Sequence, residues 1–91
     1  MRKLTVFYLE HCPYCRNARK AISELTAENP AYRQIEIQWV EESEQPALAG
    51  QYDYYYVPTV FDGEKKLYEA HPGESFADCK KAMKAALDAV L

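Results

Sequence analysis

The chain has 91 residues, 48% of them hydrophobic and 13% aromatic, and its 11 basic and 14 acidic side chains leave a net charge of −3. This composition excludes a disordered or low-complexity chain, and one domain of this length (residues 1–91) buries about 60–65% of its unfolded surface without needing a disulfide staple. The mixed, slightly acidic charge argues against nucleic acid and membrane surfaces as partners, and a monomer is expected.

The sequence opens MRKLTVFYLEHC. Its apolar run is too short for a secretory h-region and is cut by Glu10 and His11, so a cytoplasmic location is expected, where lasting disulfides are rare. Leu4 to Leu9 is a continuous β-rich run, as in a strand buried on both faces. From Cys15 the spacing becomes helical, with Ala18, Ile22 and Leu25 on one side and Arg16, Arg19, Lys20 and Glu24 mostly on the other. Asn29-Pro30 ends that helix. Gln34 to Val40 alternates, which sets Ile35, Ile37 and Trp39 on one face of a second strand, parallel to the first. Ser43 is placed to cap a short helix reaching about Tyr52, with Pro46 in its first turn. Val57 to Phe61 and Glu64 to Glu69 flank Asp62-Gly63, a strong hairpin signal. Ser75-Phe76-Ala77-Asp78 fits a capping box, followed by Phe76, Cys79, Met83, Leu87 and Val90 down one helix face. The expected order is β-α-β-α-β-β-α.

The chemistry concentrates at Cys12-Pro13-Tyr14-Cys15. The pair lies where a strand gives way to a helix, so free N–H groups and the positive end of the helix dipole sit beside the first sulfur and favour its thiolate. Pro13 suits the first turn because it has no N–H to leave unsatisfied. Cys12 should be exposed and Cys15, one turn on and facing inward, shielded. This suggests a two-step exchange in which Cys12 attacks a substrate disulfide and Cys15 releases the product. The alternative is half a zinc site; the remaining ligand candidates are His11, His71 and Cys79, with no second close pair. Cys79 falls on an apolar stripe and reads as packing. Tyr52, Tyr54, Tyr55 and Tyr56 form an aromatic cluster, part core and part candidate lining of a substrate groove.

These residues resemble a known family. Cys12-Pro13-Tyr14-Cys15 after the first strand, Val57-Pro58 opening the third, and the element order together look like a dithiol glutaredoxin on the thioredoxin fold, a four-stranded mixed sheet flanked by helices. The resemblance implies a thiol–disulfide oxidoreductase with Cys12 and Cys15 catalytic, no tightly bound cofactor, and glutathione as co-substrate. It also implies a cis Pro58 against the cysteines, with the Val57 backbone pairing to a bound peptide or glutathione. Pro13, Tyr14, Val57, Pro58, Gly73, Glu74 and Ser75 would then shape the substrate site. The chain departs from the pattern at Leu9, where glutaredoxins usually carry a lysine, at Tyr56, where they carry threonine, and at Pro72-Gly73-Glu74-Ser75, where they have a glycine pair. Arg16 is the replacement carboxylate anchor. The alternatives kept open are a thioredoxin-like electron donor, reduced by a flavoprotein reductase and acting on disulfide-containing proteins, and a metal or iron–sulfur module using the same thiols.

Overall fold

In the computed structural model, which describes residues 2–91 and leaves Met1 outside, the first apolar run forms β1 (Arg2–Tyr8). It is followed by α1 (Pro13–Glu28), a 3-10 turn (Pro30–Gln34), β2 (Ile35–Glu41), α2 (Pro46–Ala49), β3 (Thr59–Asp62), β4 (Lys65–Glu69) and α3 (Phe76–Val90). The sheet runs β2-β1-β3-β4. β1 pairs in parallel with β2 from Arg2 opposite Ile35 to Tyr8 opposite Glu41, and antiparallel with β3. β3 and β4 are the expected antiparallel hairpin, with an irregularity between Val60 and Phe61. Its two-residue turn is Gly63-Glu64, one position later than the Asp-Gly signal, because Asp62 still pairs with Lys65. Gly63 takes φ 60°, the left-handed conformation such a turn requires.

The strand pleat divides the core in two. Leu4, Val6 and Val60 face α1 and α3, where they meet Ala18, Ala21, Leu25, Cys79, Met83 and Leu87. Ile35, Ile37 and Trp39 join this cluster on their predicted common face. Each fully buried large aliphatic side chain here contributes about 1.5–3 kcal/mol of transfer free energy. Lys80 on α3 ties the two helices by reaching Glu24 at 3.0 Å and Glu28 at 2.7 Å. The Ser75–Asp78 capping box forms in both directions.

On the opposite face Phe7, Val40 and Phe61 are buried under Leu48, Ala49, Tyr52, Tyr54 and Val57. The sequence suggested a helix from Ser43 to about Tyr52, but α2 is one turn long, with Gln45 in the N-cap position. Two local facts explain the difference. The Ser43 N–H and hydroxyl both donate to the Glu41 carboxylate, at 2.7 Å each, and so are unavailable to α2. Tyr52 and Tyr54 both turn onto Phe7, with ring centroids 4.7 and 5.1 Å from it, and residues two apart cannot share a helix face. An extended segment can place them so, and the rings do the covering that more helix would otherwise do. β3 likewise starts two residues later than read, at Thr59, after a cis Val57–Pro58 bond.

Candidate active site

The site forms where the C-terminal end of β1 meets the N-terminus of α1 and the segment entering β3. Both strands of the parallel pair, β1 and β2, end on this side of the sheet, and β3, antiparallel to β1, begins there. Cys12 is the N-cap of α1, with extended backbone (φ −86°, ψ 120°), and Pro13 is the first helical residue. The Cys12 side chain makes no cap bond to the helix and is half-buried. Its thiol lies 3.9 Å from the Val57 carbonyl oxygen. Pro58, directly after Val57, is buried.

Cys15 is one turn deeper, only 3% exposed, with its thiol free like that of Cys12. Burial pushes its pKa up from the usual 9.0 to about 12, against a backbone hydrogen bond from Leu9 that favours the thiolate. The neighbouring Cys12 and, more weakly, the Glu42 carboxylate push it further up. Cys15 is shielded as the spacing suggested, desolvated and protonated at neutral pH, whereas Cys12, expected to be exposed, is half-buried.

Two acidic residues that sequence reasoning missed hold the loops on either side. Glu41, 7% exposed, accepts from the Glu10 backbone at 3.1 Å as well as from Ser43, and so fixes the chain entering Cys12. The next residue, His11, sits at φ 64°, a conformation that only a well-held loop imposes on a non-glycine residue. Glu69 on β4 accepts from the Tyr55 and Tyr56 N–H groups at 2.6 and 2.8 Å and pairs with Lys66 at 2.7 Å. The Thr59 hydroxyl donates to the Tyr56 carbonyl. These contacts hold the segment that brings the Val57 carbonyl to Cys12. The Ser43 hydroxyl and the backbone N–H groups hold the Glu41 carboxyl below the ordinary range, and at Glu69 burial, which pushes up, is outweighed by Lys66 and the two tyrosine N–H groups. Nothing in the sequence pattern separates Glu41 from Glu42 and Glu44, or Glu69 from Glu64, because beside the local partners Ser43 and Lys66 each carboxylate holds backbone N–H groups 13 to 31 residues away.

The tyrosine cluster divides. Tyr52 and Tyr54 are core on Phe7 and Phe61, and the Tyr54 hydroxyl donates to Glu42 at 2.8 Å. Tyr55 and Tyr56, at 89% and 52% exposure, project from the loop before Val57.

Of the residues read as substrate-binding, Pro13, Tyr14, Val57 and Pro58 surround Cys12 in chain or space. Gly73 reaches the same region: its N–H donates to the Tyr14 hydroxyl at 2.8 Å across 59 residues of sequence. Its φ of 89° demands glycine. The N–H groups of Gly73, Glu74 and Ser75, which the resemblance put at the substrate site, are all engaged within the chain, by Tyr14, by the His71 carbonyl at 3.2 Å and by Asp78 at 3.1 Å. These groups are therefore occupied by turn and capping contacts. Glu74 is turned inward, its carboxylate accepting from the Tyr68 hydroxyl and the His71 N–H. Arg16 is exposed on the first turn of α1 and, among the described residues, pairs with no carboxylate. Cys79 is fully buried, with its thiol pKa raised by burial. His11, His71 and Cys79 do not gather with the cysteine pair: no group of three or more His, Cys, Asp or Glu side chains among the described residues is arranged to hold a metal ion.

No family model and no characterised protein sequence matches the chain. Solved structures do match in shape. Thioredoxin 1 from the thermophilic eubacterium Thermosipho africanus is 20% identical over 96% of each chain, with a TM-score of 0.59. A malarial protein is 17% identical over 90% of this chain and 92% of its own, with a TM-score of 0.60. A mutant thioredoxin from Halobacterium salinarum is 20% identical over 91% of this chain and 72% of its own, with a TM-score of 0.57. No helix among the described residues is long and apolar enough to cross a membrane. Sheet order, helix placement and these likenesses agree that the chain has a thioredoxin-like α/β fold, a four-stranded mixed sheet flanked by helices.

Proposed function

We propose that the protein is a dithiol thiol–disulfide oxidoreductase of glutaredoxin-like type acting from the cytoplasm, with Cys12 as nucleophile and Cys15 as resolving thiol. The observation that carries this reading is the unequal state of the two thiols on one helical turn: Cys12 half-buried at the N-cap, Cys15 3% exposed with a pKa near 12.

The chemistry balances in two steps. Cys12 thiolate attacks one sulfur of a substrate disulfide, forming a mixed disulfide and expelling the other sulfur as a thiolate, which takes a proton from water. Cys15 then attacks Cys12 Sγ, closing the Cys12–Cys15 disulfide, and its proton leaves with the second product thiol. Forming the mixed disulfide removes the Cys12 thiol and its charge, two of the influences that hold the Cys15 pKa up. Cys15 thus becomes easier to ionise at the stage when it is needed. Two thiols, or the dithiol of a reductase, return the disulfide to the starting state. The Val57 carbonyl, 3.9 Å from Cys12 Sγ, is positioned to align an incoming extended peptide.

Two electron sources fit this cycle, glutathione and a flavoprotein reductase. The internal engagement of the Gly73, Glu74 and Ser75 N–H groups favours the reductase, since a glutathione carboxylate would have to displace Tyr14, His71 or Asp78 to bind there. The test is turnover of a glutathionylated substrate with glutathione by Cys15→Ser, in which Cys12 alone reacts. Turnover supports glutathione as co-substrate. Absence of turnover in a variant that still traps mixed disulfides with proteins supports the reductase. Disulfide reduction that persists in Cys12→Ser would refute the assignment altogether.

A further inference from the structure

On the α2 side of the sheet a pocket of about 310 Å³ opens between the end of β2 and the segment leading to Val57, lined among others by Glu42, Pro46, Ala49, Tyr52, Tyr54 and Tyr55. Tyr52 and Tyr54 are fixed by packing on Phe7 and Phe61, with ring centroids 4.7 to 6.2 Å apart. The Tyr54 hydroxyl, its pKa pushed up by burial and by Glu42, stays protonated and donates to one oxygen of Glu42 at 2.8 Å. The Glu42 N–H donates to the Tyr8 carbonyl at 3.0 Å, which continues the β1–β2 pairing past Glu41 to the end of the sheet that carries Cys12. Among the described residues Glu42 forms no ion pair, so its charge is uncompensated. The surroundings repeat its sign: half of the chain's 14 acidic side chains and none of its 11 basic ones lie between Arg33 and Lys65, the stretch that supplies β2, α2 and the whole pocket. Lys66, whose ammonium reaches the Asp53 carbonyl at 3.3 Å, is bound to Glu69 at 2.7 Å.

We infer that this pocket receives an arginine side chain of a protein substrate, from a residue flanking the disulfide presented to Cys12. The inference deepens the oxidoreductase reading and rests on Cys12 being the reactive thiol. A guanidinium is planar and weakly hydrated, so it stacks on tyrosine faces and still pairs with a carboxylate. The volume lies at the lower end of the range for ligand sites, which suits one long side chain. Two of the three rings are already fixed by the core, so little ordering is left for binding to impose. Position ties the pocket to the reaction: Tyr55 lies two residues before Val57, whose carbonyl is 3.9 Å from Cys12 Sγ, and the Glu42 charge is felt at Cys15. The acidic stretch around it favours a basic partner at longer range as well. The sequence offers the tyrosines as a groove lining; Glu42 supplies the charge that selects what enters.

The test uses paired peptides with one cysteine, activated as its disulfide with 5-thio-2-nitrobenzoate, and either arginine or its neutral isostere citrulline at about one to four residues on either side. Cys12 thiolate attacks the peptide sulfur, forming the Cys12–peptide disulfide and expelling coloured 5-thio-2-nitrobenzoate as the original S–S bond breaks. At the favoured spacing the arginine peptide should react about five- to tenfold faster than its citrulline partner, as expected for one exposed ion pair with a cation–π contact. The ratio should shrink with added salt and fall to about one in Glu42→Gln, which keeps an acceptor for the Tyr54 hydroxyl. Tyr55→Ala should give an intermediate ratio, and its ring, at 89% exposure, is not part of the core, which guards against a folding defect in the other variant. A ratio near one at every spacing in the unmodified protein overturns the proposal. A ratio that Glu42→Gln leaves unchanged also overturns it, since the charge would then act from elsewhere on the acidic face. Titration with N-acetylarginine amide, which has no sulfur, reads the pocket apart from the thiol chemistry. Shifts of the Tyr52, Tyr54 and Tyr55 ring protons that vanish in Glu42→Gln, beside citrulline peptides that release no 5-thio-2-nitrobenzoate, would refute the enzyme and keep the pocket.

Discussion

Iodoacetamide at pH 8 should label Cys12 and leave Cys15 untouched, and the size of the difference follows from burial. A thiol with the usual pKa of 9.0 is about 9% ionised at that pH, whereas one near 12, as Cys15 is here, is about 0.01% ionised, a loss of about a thousandfold in reactive thiolate. Exposure of 3% adds a steric barrier on top. Labelling Cys12 first removes its hydrogen bond and charge, but burial, the largest cause of the raised pKa, remains. Cys15 should therefore react at least about a hundredfold more slowly than Cys12 even after Cys12 is capped. The tryptic peptide from Leu4 to Arg16 contains both cysteines, so fragment masses locate the label. Double labelling on the time scale of the first event, or label on Cys15 alone, would refute the assignment of roles. The same protonation does not disable Cys15 in the cycle, because a thiol held beside a mixed disulfide reacts with an effective concentration of about 10⁵ M or more, which outweighs the thousandfold loss.

Glu69→Gln removes the charge behind the Tyr55 and Tyr56 hydrogen bonds and the Lys66 pair; with part of each partner exposed, the expected cost is about 1–2 kcal/mol, a fall in Tm of about 5–15 °C by thermal denaturation. The same variant should slow Cys12 exchange with peptide disulfides more than its reaction with iodoacetamide, since the Val57 segment, and not the thiol, is what loosens. Glu41, Glu69, Asp78 and Asp88 all have folded-state pKa values below their ordinary ones. Their stabilisation is present above the unfolded carboxylate range and is lost as pH falls through the lower folded values, so urea midpoints should hold from about pH 7 to 5 and decline below about 4. A midpoint that rose on acidification would contradict this sign. Cys79→Ala should cost about 1 kcal/mol, read as a lowered denaturation midpoint, and leave disulfide reduction intact, because the thiol is fully buried in the core and remote from Cys12 in role.

Several elements were legible because a local rule and the tertiary structure agree. The capping box at Ser75, the stripe from Phe76 to Val90 and the Cys12-Pro13 entry to α1 each depend on residues within one or two turns of each other. The helix expected from Ser43 to Tyr52 was not, because Glu41 captured its cap and Phe7 captured its aromatic rings. At Gly73 to Ser75 the sequence allows either carboxylate binding at a helix N-terminus or ordinary capping, and Glu74, which would repel an anion, points to capping. The structure shows capping, with His71 and Asp78 as local partners and Tyr14, 59 residues away, as the one partner that no local window contains.

The sequence by itself determined the order of elements, the parallel β1–β2 pair, the core faces of both long helices and the identity of the two thiols, since each is written in periodicity, caps or spacing. Only the tertiary structure decided that Glu41 and Glu69 hold the loops on either side of Cys12, that Tyr14 closes onto Gly73, that Glu74 turns inward, and that Arg19 stacks on Tyr8 and Trp39. Those contacts join residues from 6 to 59 positions apart. A carboxylate or guanidinium is drawn to whichever backbone group or ring the fold brings within reach, so composition and spacing reveal the charged group, and only the packed chain reveals what it holds.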